Sequence, residues 1–229
     1  MNDKQHGQQA DGSSPLYITL ILDESGSMQS CKGAALAGFN HYLATLRKEP
    51  AETRFTLTLF NSGRTDVRYR AVPVSAVSEL DVETYRPQAG TPLYDAIGRT
   101  LSLAKQEAPA EARKLCVILT DGEENASQEY NRKQVFNLIK LYEKQGWAFL
   151  YLGADHDVWA AGDDLGIGGD SRIAFCRDTV DHTFNQLSQA TATFRRGKDL
   201  SAAETFLSNE PPPSGEQEPP DRGNEPGTN

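Results

Sequence analysis

Oxygen-bearing side chains stand at three places in this sequence where a strand is predicted to end or a helix to begin. Asp23, Ser25 and Ser27 directly follow one apolar run, Asp121 directly follows another, and Thr91 precedes a helical pattern. Carboxylate and hydroxyl oxygens are the ligands that hard cations such as Mg²⁺ prefer, whereas zinc favours cysteine and histidine. Two carboxylates and three hydroxyls leave room around such an ion for water and one exchangeable ligand. These five residues therefore predict a site for a hard divalent cation.

Strand-like runs must bring these residues together. Runs 16–22 and 115–120 are short and apolar on both faces, which is typical of buried parallel strands. Run 54–60 alternates, and a short Asn-Ser-Gly turn joins it to a second strand at 67–74. So short a link favours an antiparallel hairpin with the second strand at a sheet edge. Two further strands are predicted at 147–152 and 172–176.

Helical periodicity separates most of these strands. One helix is predicted from about Lys32 to Pro50, and another starts at Pro92 with Thr91 as its N-cap. A third helix is expected to end at Gly146, and a short one covers 158–165. The last helix is predicted from one apolar face, formed by Phe184, Leu187, Thr191 and Phe194.

Alternating strands and helices predict an α/β fold. We expect a doubly wound, mostly parallel central sheet of about six strands, with one antiparallel edge strand and helices on both faces. Ligands of such folds bind at the carboxyl ends of the strands. Asp23 and Asp121 would end two neighbouring strands at that edge, and Thr91 can reach the same point from a nearby loop.

The order and spacing of these residues resemble a known motif. Asp23-x-Ser25-x-Ser27, then Thr91, then Asp121-Gly122 is similar to the full pattern of the metal-ion-dependent adhesion site. This motif belongs to von Willebrand factor type A domains, which also occur in integrins. The resemblance extends from about Pro15 to Phe194 and combines three separate segments in the family's order. The chain lacks secretory features, and in this respect it resembles the intracellular bacterial or phage members of the family.

The resemblance implies a role for each residue and a kind of partner. In the family, the two serines and the threonine reach the metal directly when ligand is bound, and the aspartates often act through water. These roles fall on Ser25, Ser27 and Thr91, and on Asp23 and Asp121. The implied cofactor is Mg²⁺, or Mn²⁺ or Ca²⁺, and the implied ligand is an Asp or Glu of a partner protein. Intracellular relatives are often adaptors, including in assemblies with AAA+ ATPases, so we expect a protein-binding module and not an enzyme.

Composition divides the chain into three parts. Residues 1–14 and 208–229 are polar and are predicted to be disordered, and residues 15–207 form the predicted domain. The net charge is -9; the N-terminal part contributes -1 and the acidic, proline-rich tail -4, which leaves -4 for the domain. A mildly acidic body argues against nucleic acid as a partner.

The sequence shows neither the pattern of a signal peptide nor that of a membrane-spanning helix. The N-terminus has no apolar signal region, and no run approaches the roughly 20 apolar residues of a spanning helix. The three cysteines have neither the spacing of a zinc knuckle nor an even count, and Cys116 lies in an apolar run as a core residue would. We therefore expect a cytoplasmic protein.

Three enzyme or nucleotide-binding alternatives fit the sequence less well. A Mg²⁺-dependent phosphohydrolase of the haloacid dehalogenase type also uses an aspartate at a strand end. That chemistry requires a second acid two residues later, where this chain has Ser25. No GxGxxG or GxxxxGK[ST] pattern indicates a nucleotide site. Ser25 also lacks the GxSxG context of a serine hydrolase.

Other polar or aromatic groups have simpler interpretations. Glu123 and Glu124 follow Asp121 and are expected to form a solvated acidic rim. The segment 155–157 (Asp-His-Asp) could hold a metal, but a loop with a helix cap is favoured. Trp147 and Trp159 are expected to be packing residues.

Overall fold

The computed structural model describes residues 15–154, 158–175 and 180–197. Within these ranges, six strands form one sheet and five α-helices flank it. The strands are β1 (Leu16–Asp23), β2 (Thr53–Asn61), β3 (Arg64–Pro73), β4 (Arg113–Thr120), β5 (Trp147–Ala154) and β6 (Arg172–Phe175). The helices are α1 (Lys32–Lys48), α2 (Leu93–Glu107), α3 (Arg132–Glu143), α4 (Val158–Leu165) and α5 (Val180–Arg195).

The strand order is β3-β2-β1-β4-β5-β6. All neighbouring pairs are parallel except β2 and β3, which pair antiparallel across the turn at Ser62 and Gly63. This confirms the predicted mostly parallel sheet with one antiparallel edge strand. Because β1 lies between β2 and β4, Asp23 pairs with Phe60, and Leu22 pairs with Leu119. The carboxyl ends of β1 and β4 are therefore adjacent.

Each face of the sheet has its own apolar core. Alternate residues of β1 point to opposite faces, so Leu20 belongs to the cluster under α1 and α5, and Ile21 to the cluster under α2 and α3. Both side chains have no exposed surface. The apolar character of β1 and β4 in sequence follows from this burial on both sides. Cys116 on β4 is a buried core residue, as predicted.

Several boundaries differ from the sequence prediction. A 3₁₀ turn at Gly26–Cys31 precedes α1, and β3 begins at Arg64, three residues earlier than the apolar pattern indicated. Polar residues at an edge strand face solvent, so the start of such a strand has no apolar signal. Gly146 adopts a φ of 80° just after α3, which is the left-handed ending expected there.

Some predictions concern residues outside the described ranges. These are the polar segments 1–14 and 208–229, the segment 155–157, and Cys176 at the predicted end of β6. The side chain of Trp159 also lies outside the description, whereas Trp147 is buried against Tyr142 and Phe149, as predicted. No helix among the described residues has the length and apolar character needed to cross a membrane.

Helices α1 and α5 pack closely over one face of the sheet. The four apolar-face residues predicted for the last helix are all buried there: Phe184, Leu187, Thr191 and Phe194. The Thr191 hydroxyl lies 2.9 Å from the Tyr42 hydroxyl of α1, within hydrogen-bond distance. Gly38 lies under the Phe184 ring, and a methyl group built on Gly38 would overlap that ring.

Substitution of Gly38 by alanine tests this contact. We expect Gly38→Ala to lower the free energy of unfolding by about 1–3 kcal/mol, because overpacking forces the Phe184 ring or the α5 backbone to move. Thermal and denaturant unfolding measure the change. The matched control is Gly33→Ala in the same helix, where a methyl group meets nothing within 4 Å. That substitution should stabilise the protein by about 0.5–1 kcal/mol through helix propensity. Equal effects at the two positions would contradict the packing described.

Candidate metal centre

The five predicted residues come together at one edge of the sheet. Asp23 is the last residue of β1, Ser25 and Ser27 lie on the turn that follows, and Asp121 directly follows β4. A methyl group built on Gly122 locates their meeting point: it would lie 2.9 Å from Thr91 Oγ1, 3.1 Å from Ser27 Oγ and 3.6 Å from Ser25 Oγ. Three hydroxyls from two segments of the chain thus surround the same small space beside Gly122.

Hydrogen bonds hold the two carboxylates in place. Asp23 Oδ1 accepts from the Ser25 amide at 2.6 Å, and Asp23 Oδ2 accepts from the Thr120 hydroxyl at 2.5 Å. The Ser27 hydroxyl donates to Asp121 Oδ1 at 2.6 Å and lies 3.0 Å from Ser25 Oγ. The site is therefore a connected set of oxygen atoms from loops that are distant in sequence.

The Asp23 carboxylate is in an environment that disfavours its charge. Its side chain has no solvent exposure, and this burial raises its pKa to about 6. The neighbouring Asp121 charge raises the pKa further, whereas hydrogen bonds from Thr120 and Ser25 lower it. A cation bound between the two aspartates would reverse this balance, because opposite charge stabilises the ionised form.

The start of α2 is capped by the loop after β4 and not by Thr91. The N-cap position is occupied by Pro92, whose side chain makes no capping hydrogen bond, so the predicted N-cap role of Thr91 is wrong. Instead, Glu124 Oε2 accepts from the Tyr94 amide at 2.9 Å, and Ser127 Oγ accepts from the Asp95 amide at 3.1 Å. These are first-turn amides that have no partner within the helix.

The predicted solvated acidic rim is correct for Glu123 alone, which is exposed. Glu124 is only partly exposed, and its Oε1 accepts from the Ala126 and Ser127 amides at 2.9 and 2.7 Å. The prediction was wrong for Glu124 because the amides it binds belong to a folded loop that composition alone does not reveal.

Two further residues fix Thr91 relative to Asp121, and sequence reasoning missed both. Asp95 accepts from the amides of Gln128, Glu129 and Tyr130 at 2.8–2.9 Å. The helix and the loop after β4 are therefore hydrogen-bonded in both directions. Asn125 accepts from the Thr91 amide at 2.9 Å through Oδ1, and its own amide donates to the Thr91 carbonyl at 3.1 Å. Asp95 in the first turn of a helix and Asn125 in a loop are each common, so neither carries a sequence signal.

The donor set fits a hard cation. No group of three or more histidine, cysteine, aspartate or glutamate side chains among the described residues is arranged to hold a metal. Here only two donors are carboxylates and the other three are hydroxyls, a set that suits Mg²⁺ with retained water better than it suits zinc. Ser25, Ser27 and Thr91 would hold such an ion, with Asp23 and Asp121 supplying the negative charge.

Comparison with known proteins identifies the fold. No protein-family profile and no curated protein matches this sequence. Among solved structures, a von Willebrand factor type A protein from Catenulispora acidiphila aligns with a TM-score of 0.53 and 15% identity, over 77% of this chain and 42% of its own. The chain has a von Willebrand factor type A fold.

Two other neighbours agree with this fold. Proximal thread matrix protein 1 from the mussel byssus has a TM-score of 0.59 at 12% identity, over 78% of this chain and 46% of its own. The pilus adhesin SpaC from Lactobacillus rhamnosus GG has a TM-score of 0.60 at 16% identity, over 76% and 30%. This chain thus spans less than half the length of these proteins. A further structure of the mussel protein has a zinc-occupied metal-ion-dependent adhesion site.

The space beside Gly122 can be tested by filling it. We expect Gly122→Ala to remove most of any stabilisation by Mg²⁺, because the added methyl group would lie between the three hydroxyls without replacing any of them. The measurement is the melting temperature with Mg²⁺ minus that with chelator. The matched control is Gly168→Ala, where a methyl group meets nothing within 4 Å. A Mg²⁺-dependent shift in Gly122→Ala as large as in the parent would show that the ion lies elsewhere.

Proposed function

We propose that this protein is a divalent-metal-dependent protein-binding module that captures an acidic side chain of a partner. The observation that carries the proposal is the convergence of the Ser25, Ser27 and Thr91 hydroxyls beside Gly122, with Asp23 and Asp121 at the ends of adjacent segments. A cation held mainly by neutral hydroxyls keeps much of its positive charge. It therefore attracts a carboxylate from outside, and such a charge-assisted bond can dominate a small interface.

The arrangement favours binding over catalysis. A phosphohydrolase of the haloacid dehalogenase type needs a second acid two residues after its nucleophile, and Ser25 occupies that position with its hydroxyl turned to the metal site. Both oxygens of Asp23 accept hydrogen bonds in this fold, from Ser25 and Thr120. The oxygen that would act as the nucleophile is therefore already hydrogen-bonded. We therefore propose a non-enzymatic function.

Mg²⁺ is our proposed cation, with Mn²⁺ or Ca²⁺ as substitutes. The zinc-occupied site of the mussel protein supports divalent-metal binding by this fold, and the oxygen-only donor set of this chain supports the harder ions. The names of the neighbours, a byssus matrix protein and a pilus adhesin, are consistent with a protein as the partner.

The setting in which the module acts is also a proposal. We propose a cytoplasmic protein of the intracellular bacterial or phage type, and the buried thiol of Cys116, which forms no disulfide, supports a reducing environment. An adaptor role, within an assembly that includes an AAA+ ATPase, follows from the family resemblance.

Metal binding is tested by unfolding with and without Mg²⁺. We expect chelator to lower the melting temperature and Mg²⁺ to restore it, because a ligand that binds only the folded state stabilises it by about 2.7 kcal/mol at a hundred times its Kd. Asp23→Ala should remove the difference between the two conditions. The control Asp164→Ala removes a partly exposed aspartate that is paired with Arg132, and should keep the difference. If Asp23→Ala responds to Mg²⁺ like the parent, the assignment of the site is wrong.

Partner capture is tested with tagged protein in a lysate of the native host. A protein retained by the parent in Mg²⁺ should be lost in chelator and with Asp121→Ala. Replacing its contacting Asp or Glu with the amide should then weaken binding by about 2–5 kcal/mol, measured by calorimetry with purified components. Retention that persists in chelator would contradict a metal-mediated contact. Turnover of a generic aryl phosphate by the parent, lost in Asp23→Ala, would favour the phosphohydrolase instead.

A further inference from the structure

Glu24, between Asp23 and Ser25 in the candidate motif, is a fully buried carboxylate. Buried carboxylates are rare unless they are paired, because the transfer of a charged group from water to the protein interior is costly without a compensating partner. Glu24 is paired with Arg64, the first residue of β3, whose Nε and Nη2 lie 2.9–3.2 Å from its two oxygens. The Arg86 amide also donates to Glu24 Oε1 at 2.5 Å. This is a fork-like, charge-assisted contact.

The backbone of Glu24 is also engaged on both sides. Its amide donates to the Phe60 carbonyl at the end of β2 at 2.8 Å, and its carbonyl accepts from the Gln88 amide at 2.9 Å. The Asn61 side-chain amide lies 3.4 Å from the same carbonyl. Glu24 therefore connects the metal-site loop to the β2–β3 hairpin and to the segment 86–90.

The segment 86–90 leads directly to Thr91. Within it, the Ala89 carbonyl accepts from the Gly26 amide, and the Gly90 carbonyl accepts from the Ser62 amide, both at 2.9 Å. Ala89 has a φ of 63°, in the left-handed region that an alanine rarely occupies. Such strain persists only where the surroundings hold it in place. These two hydrogen bonds tie the segment 86–90 to the metal-site loop and to the β2–β3 hairpin, which Glu24 also contacts.

We propose that Glu24, through its ion pair with Arg64, is a positioning residue that sets the distance from Ser25 and Ser27 to Thr91. The inference rests on the proposed metal site and adds to it a residue outside the five motif positions. Mg²⁺ demands near-ideal octahedral geometry, so a small relative shift of the two loops weakens its binding. Glu24 acts through the loops and not as a ligand, since its carboxylate is directed to Arg64 and Arg86.

The test separates metal affinity from fold stability in the full 229-residue chain. Calorimetric titration with MgCl₂ gives the Kd, and thermal unfolding in chelator gives the stability of the metal-free protein. We expect Glu24→Gln and Arg64→Gln each to raise the Kd for Mg²⁺ by about 10-fold or more, as loss of outer contacts typically does. The double variant should be no weaker than the weaker single variant, because both changes break one interaction.

Arg70→Gln is the matched control on the same strand. Arg70 pairs with Glu107 at 2.7 Å, at the end of β3 far from the metal-site loop. Its loss should therefore leave the Kd for Mg²⁺ unchanged. A tenfold weakening in this control as well would overturn the inference, since any broken ion pair on β3 would then have the same effect.

The remaining outcomes each decide the question. A lower melting temperature in chelator with an unchanged Kd would make Glu24 a structural residue only, and the metal site would stand without it. If Glu24→Gln and Arg64→Gln do not fold, Arg64→Lys decides, because a lysine keeps a positive charge beside the buried Glu24 carboxylate but cannot reproduce the fork-like contact; an unchanged Kd there overturns the inference. If the parent binds no Mg²⁺, the proposed function fails first, and that result is read from the parent alone.

Discussion

Electrostatic repulsion at the carboxyl edge of the sheet constrains the rest of this protein. Parallel pairing of β1 and β4 brings Asp23 close to Asp121, where burial and the neighbouring Asp121 carboxylate both disfavour the charge of Asp23. The Thr120 and Ser27 hydroxyls and the Ser25 amide compensate in part by donating hydrogen bonds. These three donors are dipoles, which offset part of the cost of a buried carboxylate, and a bound cation would offset more of it.

Acidic residues also hold together the loops that carry the site. Glu24 joins the first loop to the hairpin and to the segment before Thr91. Asp95 of α2 accepts from amides of the loop after Asp121, and Glu124 of that loop accepts from an amide of α2. In each case a carboxylate accepts from backbone amides of a neighbouring segment, which secures a loop without a helix or strand. The three loops thus form one connected unit above the sheet.

The sequence was sufficient to predict the fold and the meeting of five residues at the carboxyl edge of the sheet; that these residues form a metal site stays a prediction. Apolar runs at β1 and β4, the short link before β3, and the periodic faces of α1 and α5 each reflect burial along a single element, which a linear pattern records. The five motif residues were also visible, because each follows a strand or precedes a helix.

The sequence was not sufficient for the contacts between loops. Glu24 and Glu124 have the composition of solvated residues, and only the approach of Arg64 and of the α2 amides shows otherwise. Thr91 before a proline looked like an N-cap, yet the capping groups come from Glu124 and Ser127, some thirty residues away. Contacts of this kind depend on where two distant loops meet, which no local pattern encodes.

The position of α5 has a consequence for how the chain is made. This helix, the last element described, covers the cluster formed by α1, β1 and β2, and its contact between Tyr42 and Thr191 spans 149 residues. During synthesis the part of α1 that packs on α5 therefore stays uncovered until α5 has left the ribosome. A nascent or truncated chain that ends before α5 would expose that surface, which makes it a natural target for chaperones and proteases.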